Sequence, residues 1–181
     1  MKKLFLTIFL LSLSINSQAQ ERNGNSTILH VNNYGKNSNI KEGTYAENFT
    51  AYDTKGNKIS LSDFKNKKNV LLVFYPGDDT PGCTKQLCDI RDDYKELQKL
   101  DIVVFGVNPA DKDSHKKFIN KNNFPFELLI DENKNIAKNY DAIGMFGFIN
   151  RTVVLINKKG KIVLYKRGMP DLKPEEISKL L

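Results

Sequence analysis

The stretch "VLLVFYPGDDTPGCTKQLC", residues 70–88, is the part of the sequence on which the fold turns. Val70 to Tyr75 form an unbroken apolar run of strand length, which predicts a strand buried on both faces. Pro76 ends the run, because proline cannot donate to a sheet ladder. Thr80 and Pro81 then suit an N-cap and a first helical position, and Leu87, Ile90, Tyr94 and Leu97 follow at helical spacing. One helix reaching about Leu100 is predicted. A buried strand feeding a helix through a short loop is the building unit of an α/β sheet.

The alternation continues outward from this stretch. "IVVFGV" (102–107) reads as a second strand and "DKDSHKKFINKNN" (111–123) as a polar helix; "PFELLI" (125–130) gives a third strand and "NKNIAKNY" (133–140) a short helix. "RTVVLIN" (151–157) and "KIVLYKR" (161–167) form a hairpin across "KKG", and "KPEEISKLL" (173–181) closes the chain as a helix with Pro174 in its first turn. Upstream, "ENFTAYDTKGNKISL" (47–61) reads as a hairpin closed by "TKGN", with a capped turn in "SLSDF". The expected fold class is α/β: a central mixed β-sheet flanked by helices, with an N-terminal β-hairpin.

Residues 1–19 carry Lys2 and Lys3, an apolar run from Leu4 to Ile15, and small residues at Ser17 and Ala19. That is the pattern of a secretory signal peptide cut after Ala19, and the run falls short of the roughly 18 apolar residues needed to span a bilayer. Residues 20–41, rich in Asn, Ser and Gly, read as a flexible leader, and 42–181 as the folded domain. The expected location is therefore the periplasm or cell envelope, with no stable membrane insertion after cleavage. The formal charge of the 181-residue chain is +7; without Lys2 and Lys3, 26 basic residues face 21 acidic ones, a net +5. The lysines are scattered ("FKNKKN", "HKKFINKNN", "NKKGKI") and lack interleaved exposed aromatics, so a solvated surface is expected and not a nucleic-acid groove.

Cys83 and Cys88 are the only cysteines. Cys83 falls where loop becomes helix, so its side chain meets first-turn amides without helical partners and the positive end of the helix dipole, both of which favour thiolate. A free thiol with a pKa near 8.5 is about 3% ionised at pH 7, so complete ionisation gains only about 30-fold. A faster reaction needs fixed donors around the reacting atoms, a hydroxyl and a cation among them. Cys88 lies five positions on. In an intact helix that spacing rotates by about 140° and rises about 7.5 Å, placing the Cα atoms roughly 8 to 9 Å apart. A disulfide needs less than about 7 Å, so pairing these two requires the first helical turns to unwind. As a staple it would close a very short loop and gain little.

"FYPGDDTPGCTKQLCDIRDDY" resembles the active-site segment of the peroxiredoxins, and a second cysteine five places on is similar to their bacterioferritin comigratory protein, or peroxiredoxin Q, branch. "GTYAENFTAYDTKGNKISLSDFKNKKNVLLVFYP" resembles that family's N-terminal section, and "GVNPADKDSHKKFINKNNFPFELLIDENKNIAKNYDA" and "RTVVLINKKGKIV" its later strands and helices, so the likeness covers about residues 42–166. It implies a thioredoxin-like fold and a peroxidase that reduces hydrogen peroxide and alkyl hydroperoxides. Cys83 attacks the peroxide, Thr80 hydrogen-bonds the reacting oxygens, Pro76 shields the thiolate, Arg151 stabilises developing charge and Cys88 resolves the sulfenic acid as a disulfide. A thioredoxin-like dithiol then recycles the pair, and the branch is expected to be monomeric. The sequence departs from many relatives at Asn108, where Ser is common, and at Gln86, where Glu is common.

Two other readings meet obstacles in the spacing. An exported thiol:disulfide oxidoreductase uses CxxC, which this chain lacks, and the cis-proline of thioredoxins is here replaced by Asn150 and Arg151. An envelope copper-binding protein uses CxxxC, also missing. His30 lies in the leader and His115 on a polar helix, so these and the cysteines make a poor metal site, and neither metal nor organic cofactor is expected.

Overall fold

The computed structural model describes residues 40–181. The expected signal segment 1–19, and the leader as far as residue 39, lie outside the described residues. Among the described residues, seven strands form one sheet: β1 (Thr50–Asp53), β2 (Lys58–Ser60), β3 (Asn69–Phe74), β4 (Ile102–Asn108), β5 (Glu127–Ile130), β6 (Thr152–Ile156) and β7 (Ile162–Arg167). Their spatial order is β2-β1-β5-β4-β3-β6-β7. The pairs β3–β4 and β4–β5 are parallel; the others are antiparallel. The sheet is mixed, as the alternation of apolar runs predicts, and the N-terminal hairpin β1–β2 is present.

All six residues of β3 are buried, because helices cover both faces of the centre. Leu71, Val73 and Tyr75 join one apolar layer with Leu87, Ile90, Leu97, Phe118 and Ile177. Val70, Leu72 and Phe74 join the other with Phe49, Leu61, Ile136, Ala137 and Tyr140. The helices are α1 (Pro81–Asp92), α2 (Tyr94–Lys99), α3 (Lys112–Asn122), α4 (Asn135–Asn139) and α5 (Pro174–Ser178), and Phe49, Leu61 and Tyr140 reach the second layer from outside them. Ile40, the last-but-one leader residue in the sequence reading, already packs against the second layer.

The single helix expected to reach about Leu100 is two helices, interrupted at Asp93. Asp93 has φ −91° and ψ 0°, and its carbonyl accepts from both Glu96 N (3.0 Å) and Leu97 N (3.1 Å), a tightened turn. Asp89, Asp92 and Asp93 gather at the carboxyl end of α1, where the helix dipole disfavours acids. The break leaves Leu97 fully buried beside Leu87, so the predicted stripe survives. The closing helix is also shorter than expected, five residues instead of nine.

Register decides what meets at the edge where β3 ends. Phe74 pairs with Val107 of β4 and with Thr152 of β6. One step on, Tyr75 therefore stands between Asn108 and Arg151. The carboxyl ends of parallel strands are where open α/β sheets build their sites.

Candidate active site

Cys83 occupies the third position of α1, after N-cap Thr80, Pro81 and Gly82, and is fully buried. Arg151, reaching across from the start of β6, brings Nη2 to 3.2 Å from Cys83 Sγ. Its other terminal nitrogen, Nη1, donates to Gln86 Oε1 at 2.9 Å, one turn along α1. The antiparallel β3–β6 register aims the arginine here, and Gly168 N fixes its backbone by donating to Arg151 O at 2.8 Å. Gln86 Oε1 is a neutral acceptor, so it holds the guanidinium without neutralising it. Gln86 is 4% exposed, and its Nε2 has no hydrogen-bond partner among the described residues.

Of the five residues named from sequence, the structure brings Cys83 and Arg151 into contact and shows no hydrogen bond from Thr80, Pro76 or Cys88 to either. Thr80 is exposed at the helix N-cap, its Oγ1 3.5 Å from Gly77 O. Pro76 is exposed at the start of the loop. Cys88 is half-buried on α1, with Sγ 4.0 Å from Asn122 Oδ1 of α3. Both thiols are free and both lie on one formed helix, the arrangement whose Cα separation of roughly 8 to 9 Å forbids a bond.

Sequence reasoning missed two features. Gly82 passes unremarked as part of a turn, yet a β-carbon there would stand 2.8 Å from Arg151 Nη2, so the arginine reaches Sγ over a bare backbone. His115 is not on a polar face; it is fully buried. Its Nδ1 lies 2.8 Å from Asp78 Oδ2 and its Nε2 3.3 Å from Leu129 O. The available signal was spacing: His115 and Phe118 stand three apart, on the same inward face of α3. Burial pushes the Asp78 carboxyl up, but the hydrogen bond and charge of His115, with hydrogen bonds from Ser114 and Tyr75, outweigh it and leave the group below its ordinary value.

A buried cysteine in the first turn of a helix, capped by an arginine from an antiparallel neighbour strand in a thioredoxin-like mixed sheet, defines the peroxiredoxin class of thiol site. Over residues 43–165 the sequence matches the AhpC/TSA family, and the chain belongs to it. Among curated relatives, "Peroxiredoxin Q, chloroplastic" of Populus jackii is 38% identical over 146 residues, 78% of this chain and 68% of that protein. The peroxiredoxin Q of Triticum aestivum is 41% identical over 125 residues, 68% of this chain but 57% of the relative. "Peroxiredoxin Bcp" of Bacillus subtilis is 40% identical over 115 residues, 60% of this chain and 73% of the relative. The match therefore spans little more than half of the wheat protein's length. Among solved structures, peroxidoxin BcpB from Mycobacterium tuberculosis superposes with a TM-score of 0.70 at 26% identity, covering 78% of this chain and 96% of that one. PrxQ from Xylella fastidiosa gives 0.70 at 26% identity, covering 78% and 95%. The branch resemblance read from the paired cysteines agrees with these names.

Proposed function

We propose that this protein is a thiol-dependent peroxidase. The observation that carries the reading is the guanidinium of Arg151 held 3.2 Å from the buried Sγ of Cys83. In the proposed cycle the Cys83 thiolate attacks one oxygen of a hydroperoxide, the O–O bond breaks, and the other oxygen leaves and takes a proton as water or an alcohol. Cys83 is then a sulfenic acid, oxidised by two electrons. In this reading Thr80, at the loop-to-helix junction, donates to the peroxide, and Arg151 stabilises charge on the oxygens as the bond breaks. Cys88 then attacks the sulfenic sulfur and expels water, leaving a Cys83–Cys88 disulfide, which an external dithiol of thioredoxin type reduces while becoming a disulfide itself. No step in this cycle calls on a metal or an organic cofactor.

Stopped-flow oxidation of the reduced protein by hydrogen peroxide and by alkyl hydroperoxides, with mass spectrometry of the product, tests this. Cys83→Ser abolishes peroxide consumption with the fold retained; turnover surviving above a few per cent sinks the assignment. Arg151→Met lowers the second-order rate by more than about 10-fold, since thiolate fraction alone accounts for at most about 30-fold of the catalysis. A change below threefold removes Arg151 from the mechanism.

The basic start, short apolar run and small residues of positions 1–19 support export to the periplasm or envelope as part of the same proposal. Cell fractionation with N-terminal sequencing checks it: the expected mature chain begins at Gln20, and an uncut cytoplasmic chain refutes it. Sedimentation of the reduced protein tests the expected monomer.

A further inference from the structure

Asp78 lies in the loop between β3 and α1, two residues after Pro76 and two before Thr80, and its side chain is only 5% exposed. Its carboxylate receives four hydrogen bonds, two on each oxygen. Tyr75 Oη donates to Oδ1 at 2.8 Å and Asn108 Nδ2 donates to the same oxygen at 2.8 Å. Ser114 Oγ donates to Oδ2 at 2.7 Å, and His115 Nδ1 lies 2.8 Å from that oxygen. An ionised carboxylate offers about four acceptor positions, so Asp78 is saturated. The donors come from the end of β3, the end of β4 and the first turn of α3, so one side chain ties the loop to three elements of the frame. Asn108 is itself fixed, its Oδ1 accepting from Ala110 N at 2.6 Å.

This anchorage governs where Thr80 stands. Between Asp78 and the helix only Asp79 and Thr80 intervene, and Asp79 has φ +54°, a left-handed conformation that few non-glycine residues adopt. Lys121 of α3 bridges the Asp79 carboxylate at 2.6 Å, but that pair is exposed and worth little. With Asp78 clamped and α1 packed, the reversal at Asp79 is held from both sides. We propose that Asp78 is a positioning residue for the proposed peroxide reaction: clamped by Tyr75, Asn108, Ser114 and His115, it fixes the loop that carries Pro76 and Thr80 against Cys83. In this arrangement Asn108, where many relatives have Ser, is one of the working donors. The inference rests on the peroxidase reading above.

The test separates the loop from the thiol. Alkylation of Cys83 by iodoacetamide needs an accessible thiolate but no donors to a peroxide, whereas the peroxide reaction needs both. In Asp78→Asn the amide NH2 faces two of the four donors and cannot accept from them, so the clamp opens although the shape is kept. The expected result is a second-order rate with hydrogen peroxide at least 10-fold below wild type, with Cys83 alkylation, followed by mass spectrometry of its peptide, within threefold. Asn108→Ala and Ser114→Ala each remove one donor and serve if Asp78→Asn does not fold; each lowers the peroxide rate about two- to fivefold with alkylation unchanged. Peroxide rates within experimental error of wild type in these variants overturn the inference, even if thermal midpoints fall. Peroxide and alkylation rates falling together also overturn it, placing the effect on the thiol itself. A wild-type protein that reacts with peroxide no faster than a free thiol takes down the peroxidase reading and this inference with it.

Discussion

A β-carbon at position 82 would meet the guanidinium of Arg151 at 2.8 Å, which sets stability and chemistry against each other at one residue. Gly82 lies in the first turn of α1 without a positive φ. Alanine there gains up to about 1 kcal/mol of helix propensity, and the atom it displaces is the far end of a flexible side chain. The expected outcome for Gly82→Ala is therefore an unchanged or slightly raised thermal midpoint together with a peroxide rate lowered about 10-fold, because Nη2 no longer reaches Sγ. Parallel thermal denaturation and stopped-flow runs check this; a full rate in the alanine variant shows that the 3.2 Å contact is dispensable. Cys83 and Arg151 were legible in the sequence for different reasons. The cysteine announced itself by its place at a loop-to-helix junction, whereas the arginine was found through family resemblance alone, since as a residue opening a strand it looks like any surface charge. The Asp78 clamp was not legible, because its donors lie up to 37 positions away and no local period links them.

At the scale of elements, α1 carries both cysteines, and in the proposed cycle it must give way for the second half. Its inner stripe, Leu87 and Ile90, packs into the layer beneath β3, and its outer flank is tied to α3 by Arg91 Nη1 donating to Asn122 O at 2.8 Å. Closing Cys83 onto Cys88 breaks the helical register of that segment. Oxidised protein is expected to exchange the backbone amides of residues 83–91 faster than reduced protein, with β3 changing less; full protection across that segment after oxidation shows that Cys88 does not resolve. Cys88→Ser still reacts once with peroxide, then stalls as sulfenic acid and passes to sulfinic acid under excess oxidant, which intact-mass measurement follows. The order of the elements and the hairpins were readable because apolar runs and turn residues mark them locally. The break at Asp93 was not: the apolar stripe runs through it without a missed beat, and three acidic residues at a helix end are a weaker signal than four apolar ones at regular spacing.

For the whole molecule, the sheet keeps its two ends apart. Cys83, Arg151 and Asp78 gather where β3 ends, while Asp101 stands where β3 and β4 begin, a β3 length of about 20 Å away. Asp101 bridges Lys68, just before β3, at 2.7 Å and Lys158, just after β6, at 2.8 Å. Hydrogen bonds from Lys158 and Lys68, with their charges, lower its carboxyl from 3.8 to about 2. The folded state thus binds this proton less readily than the unfolded chain, whose carboxyl takes it up near 4. The stabilising contribution is complete above about pH 4 and is lost as pH falls through about 2. Asp101→Asn is expected to be less stable than wild type at neutral pH, with the two denaturation midpoints converging as pH drops from about 4 to about 2. The pair is exposed, so salt narrows the gap as well. Because the bridge is remote from the thiol, the peroxide rate of Asp101→Asn at neutral pH stays within a factor of two of wild type. A stability gap that persists at pH 2 shows that the contribution of Asp101 is not its charge, and a neutral-pH rate that falls with the midpoint shows that the two ends of the sheet are coupled.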